Sequence, residues 1–144
     1  MALSTFGAIM GFAAEIVNQT KAVCETLGGK AKDPKLKEML LQLAAEEGKN
    51  YTSMERTRRE HVTEMILEPV TGLHRKEYEV DIKHMEQKND ADLSSIVLLL
   101  LTREQRFFQD ASAKLPLPEV ARIFRKISQK KEEHLAGLRG LRQG

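Results

Sequence analysis

At 144 residues, with 41% apolar and 31% charged side chains, the chain has room for one domain with a solvated surface, taken here as residues 1–144. A net charge of +2 is too mild to point to a nucleic-acid partner. A single cysteine excludes an internal disulfide, a zinc ribbon and a rubredoxin-type iron site, and it suits a reducing, cytoplasmic setting. The longest apolar run, Ile96 to Leu101, is too short to cross a bilayer, and no basic segment opens the chain as a signal peptide would. No nucleic-acid or membrane partner is therefore expected.

Abundant Leu, Ala, Glu, Lys and Met, with no Trp, favour an all-α fold, because straight side chains lose little freedom in a helix. The first predicted helix runs from about Ser4 to Leu27 and stops at Gly28-Gly29. The second opens at Asp33-Pro34, an N-cap with proline in the first helical position, and runs to Pro69. Its inward stripe is Leu36, Leu40, Leu43, Glu47, Asn50, Met54 and His61. The third covers about Asp90 to Ala113. The fourth starts at Pro118 and carries Val120, Phe124, Ile127, Lys131, His134, Leu138 and Leu141 at spacings of four and three.

Short links make hairpins of helices one and two and of helices three and four. Residues 70–89, between the hairpins, are too long for a simple turn and predict a crossover that leaves helices two and three parallel. The hairpins are internal copies. A shift of 84 residues lays Pro34, Leu36, Leu40 and Leu43 on Pro118, Val120, Phe124 and Ile127, and Glu47 and Asn50 on Lys131 and His134.

The segment from Asp33 to Glu47 resembles the second helix of rubrerythrin-like proteins of the ferritin-like superfamily. Glu119 to Ile127, with Glu132-Glu133-His134, resembles their fourth, and Glu77 to Asp81 their crossover. The resemblance implies a ferritin-like four-helix bundle of two hairpins, with a homodimer as the expected assembly. It also implies a di-iron centre, with a Glu from each of helices one and three and Glu-x-x-His from each of helices two and four. Carried over position by position, the ligand sites fall on Val17, Glu47, Asn50, Leu101, Lys131 and His134, and the flanking aromatic positions on Cys24 and Phe108.

Only Glu47 and His134 match the ligands that the resemblance implies. Two iron ions need hard anionic oxygen donors, Val17 and Leu101 offer none, and Lys131 brings a positive charge. The reading is a degenerate di-iron site without cofactor or catalysis, in which a Glu47–Lys131 polar pair, satisfied by Asn50 and His134, holds the bundle middle. The alternative is an atypical iron oxidoreductase or ferroxidase using Glu47, His134 and Glu104. Glu104, one turn beyond Leu101, reads as a surface carboxylate beside Arg103 and Arg106. His61 reads as a satisfied core or end-of-bundle histidine, Cys24 as a small buried hydrophobe, and Arg122, Lys126 and Lys130 as a solvated face.

Overall fold

Four helices account for most of the computed structural model, which describes residues 2–61 and 70–143. They are α1 (Phe6–Lys30), α2 (Pro34–Glu60), α3 (Asp90–Ser112) and α4 (Pro118–Gln143), with a short 3₁₀ turn at Arg75–Glu77. Helix starts follow from side-chain caps that satisfy otherwise orphaned amides. Thr5 accepts from the Ala8 amide at 3.0 Å, Asp33 from Lys35 at 3.1 Å, and Asn89 from Asp92 at 2.9 Å. Pro34 and Pro118 occupy first helical positions, where a missing N–H costs nothing.

The expected stop at Gly28-Gly29 is overturned, because α1 continues through both glycines to Lys30. Gly28 serves packing instead. A Cβ built there would lie 2.9 Å from Leu41 Cδ2 on α2, so the missing side chain lets the first hairpin close. The second helix is described to Glu60, capped by His61; its expected continuation to Pro69 lies outside the described residues.

Helix directions can be read from individual contacts. Arg103 meets Gln19 and Phe107 meets Phe12, so α1 and α3 run antiparallel. Lys131 meets Glu47 and Met39 lies beside Gly137, so α2 and α4 do as well. The Asp90 carboxylate at the start of α3 accepts from the Lys32 and Asp33 amides at 3.0 and 2.8 Å, which brings the starts of α2 and α3 to one end. The order is up-down-down-up, with α1 against α2 and α3, and α4 against α3 and α2.

Residues 70–89 cross from one end of the bundle to the other along α1 and α3. Leu3 and Val70 form backbone bonds with Leu73 and Ser4 at one end, and Lys30 holds Gln87 at the other. Between them Arg75 donates to Glu15 at 2.7 Å, and the Tyr78 hydroxyl donates to Asp110 at 2.5 Å. The Tyr78 ring is buried against Phe12 and Phe107. Burial, with the Asp110 carboxylate, keeps the phenol protonated well above its ordinary range. Tyr78→Phe keeps the ring and loses the hydrogen bond, and should cost about 1–2 kcal/mol in urea unfolding. An unchanged midpoint would show that ring packing alone fastens the crossover.

Candidate functional site

The apolar interior falls into two clusters. One gathers Phe6, Phe12, Val17, Met54, Phe107, Phe108, Phe124 and Ile127; the other Cys24, Leu40, Leu43, Leu101, Leu135 and Leu138. On every helix a polar residue falls in the sequence interval between them: Thr20 on α1, Glu47 on α2, Glu104 on α3 and Lys131 on α4. All four are 0% exposed. The layer keeps the internal repeat, since the same 84-residue shift relates Thr20 to Glu104 and Glu47 to Lys131.

Lys131 Nζ donates to Glu47 Oε1, and Asn50 Nδ2 donates to the same oxygen at 2.9 Å. On the other side, Glu104 Oε2 lies 3.6 Å from the Lys131 ammonium. Thr20 does not join them; its hydroxyl donates to the Ile16 carbonyl one turn back, at 3.1 Å. The surface position expected for Glu104 is therefore overturned. Leu100, Glu104 and Phe107 share one face of α3 and all three are buried, so α3 brings its carboxyl to the centre one turn later than Leu101. Arg103, expected beside it on the surface, is buried as well.

Neither Glu104 oxygen receives a hydrogen bond. Burial raises its pKa well above the usual carboxylate range; the adjacent Glu47 carboxylate reinforces that rise, while Lys131 pulls the other way. The neutral acid carries an O–H that Glu47 can accept. With Glu47 ionised, Lys131 protonated and Glu104 neutral, the three groups sum to zero, which is the arrangement an apolar interior tolerates. Burial opposes the charge on Lys131, but the Glu47 carboxylate to which it donates holds the lysine protonated. Cys24 is buried nearby. Its thiol is pushed up to about 12 by desolvation, with the Glu47 carboxylate adding to the rise, so it is held as a neutral thiol.

His134 departs from its expected part. It lies half-buried at a surface recess beside Met39, Glu46 and Gly137, and its buried Nδ1 has no hydrogen-bond partner, so it does not complete the Glu47–Lys131 pair. Burial, and then the Lys131 charge, lower its pKa. Val17 and Leu101 are apolar core, and Phe108 stacks edge-on against Phe107 and Phe124 at 5.3 and 4.9 Å. His61 packs edge-on against Phe6 at 6.3 Å.

No protein-family model, curated protein or solved structure matches the chain. What the site can do therefore rests on its own chemistry. Among the described residues no group of three or more His, Cys, Asp or Glu side chains is disposed to hold a metal ion. The donors that do meet are two carboxyls, and the space between them belongs to an ammonium.

Glu47→Gln leaves the Lys131 charge buried without its anion and should destabilise by about 3–5 kcal/mol in chemical denaturation. The double change Glu47→Leu with Lys131→Met removes both charges and should restore most of that loss; a double variant as weak as the single one would refute the pairing. Glu104 supplies a pH test. Its folded pKa lies above the unfolded value of 4.5, so its contribution is fully present below that value and is lost as pH rises through the folded pKa. Glu104→Gln, neutral at every pH, should therefore gain melting temperature over the parent as pH rises above 4.5. Parallel curves for the two proteins would mean that Glu104 titrates as in the unfolded chain.

Proposed function

We propose that the chain is a ferritin-like bundle of the rubrerythrin type that acts as a non-catalytic scaffold or interaction protein, with the Glu47–Lys131 pair in place of a di-iron centre. The observation that carries this reading is the Lys131 ammonium, sealed from solvent and held between Glu47 and Glu104. The up-down-down-up order with its long crossover supports the ferritin-like assignment. A homodimer and a cytoplasmic location belong to the same reading. On the described chain, no helix is long and apolar enough to cross a membrane.

The residues present do not fit iron. A di-iron site needs carboxylates that bridge and neutralise two dications. Here one carboxylate is already neutralised by an ammonium, the second carboxyl is held in its neutral form, and the carried-over positions on α1 and α3 are Val17 and Leu101. A metal ion entering this layer would have to displace the Lys131 charge into apolar surroundings, at a cost of several kcal/mol. The competing reading, an iron oxidoreductase or ferroxidase using Glu47, Glu104 and His134, meets that repulsion first.

Anaerobic loading with ferrous ion separates the two readings. A ligand that binds the folded state alone raises the melting temperature with its concentration. The proposal expects less than stoichiometric iron, no new visible absorption and an unmoved melting temperature. Two irons per chain, with a concentration-dependent rise, would overturn it.

A further inference from the structure

The polar layer leaves oxygens without partners. Glu47 Oε2 and both Glu104 oxygens are sealed from solvent, and among the described residues none of them has a hydrogen-bond partner. Glu47 Oε1, by contrast, accepts from both Lys131 Nζ and Asn50 Nδ2. The side chains of Lys131, Glu47 and Glu104 are all 0% exposed, with Glu104 Oε2 lying 3.6 Å from Nζ. Buried polar atoms left this way are rare, because each has given up its hydration. Here they surround an amine that already touches a carboxyl group.

An ammonium and a carboxylate contain between them the atoms of one amide and one water. We propose that Lys131 and Glu47 condense in the folded chain to an isopeptide bond between Lys131 Nζ and Glu47 Cδ, with Glu104 as the proton relay. A proton first passes from Nζ to Oε2, which gives a neutral amine and a neutral acid in an apolar interior. Nζ then attacks Cδ. The Cδ–Oε2 bond breaks as Glu104 delivers its proton to Oε2, which leaves as water, and Glu104 takes back a proton from the nitrogen. Oε1 remains as the amide oxygen and keeps the Asn50 hydrogen bond. The unpartnered oxygen departs, and the new N–H has a Glu104 oxygen within reach to accept it.

Holding amine and carboxyl in contact in a dry site replaces a bimolecular encounter, and a neutral amide removes the desolvation that burdens a buried ion pair. The charged form predominates and only the minor neutral form reacts. The hairpins therefore dock on the ion pair, and the bond follows over days. This inference rests on the Glu47–Lys131 pairing of the proposed function.

Intact-mass spectrometry of the full chain, fresh and after days at physiological temperature, tests it. A growing fraction lighter by one water is expected, and trypsin should release residues 38–49 joined to residues 131–139, uncut at Lys131. Lys131→Arg should stay at full mass. Glu104→Gln should react slower by about a hundredfold or more, the loss of a general acid. Full mass in the aged parent, a water lost from other residues, equal loss in chain held unfolded in urea, or an undiminished rate in Glu104→Gln would each overturn the proposal. An aged parent at full mass that also refuses iron overturns the bond alone and leaves the proposed function standing.

Discussion

A single ammonium governs the interior of this bundle. Lys131 cannot be buried unless an anion waits for it, and Glu47 cannot be buried unless a cation does. Each is fixed to a different hairpin, so the requirement acts on how the two hairpins meet. Sliding α4 against α2 by one turn would carry Lys131 toward Ile127 or Leu135 and leave Glu47 facing leucines. Apolar side chains of similar volume pack in several registers at comparable free energy, whereas a charge layer accepts one. The polar cross-section therefore contributes more to uniqueness than to stability.

Much of this arrangement is legible in the sequence because it repeats. The Asp-Pro and Leu-Pro openings, the stripes at three and four, and the 84-residue shift place Glu47 opposite Lys131 without knowledge of the fold. The length of the crossover also anticipates parallel α2 and α3. Glu104 was harder to place. Leu101 and Glu104 stand one turn apart on an inward face wide enough to bury both, and local charge, with Arg103 and Arg106 beside it, suggests solvent. The repeat did contain the signal, because Glu104 falls on Thr20, a polar residue in an otherwise apolar stretch of the first helix.

Arg103 and Gly28 show two limits of such reading. Arg103 is buried by the crossover, whose path over α1 and α3 is a long-range fact with no periodic trace. Gly28 resembles a helix stop, since glycine ends helices and permits close approach for the same reason, the missing Cβ. Only the neighbour distinguishes the two uses, and here the neighbour is Leu41. His134 illustrates a third limit. A spacing of i to i+3 puts it near the face of Lys131, yet a half-buried ring at the edge of that face turns its Nδ1 away from any partner.

The division of the fold into two hairpins has a consequence for the order of assembly. Contacts within each hairpin join residues close in sequence, whereas the Glu47–Lys131 contact closes a loop of 84 residues. Local contacts form at little entropic cost and distant ones wait on chain closure. Both charges accordingly stay hydrated until the hairpins dock. The desolvation cost is concentrated in that last encounter, which makes the polar layer a kinetic checkpoint: a mispaired collapse must either strand a charge in hydrocarbon or reopen to water.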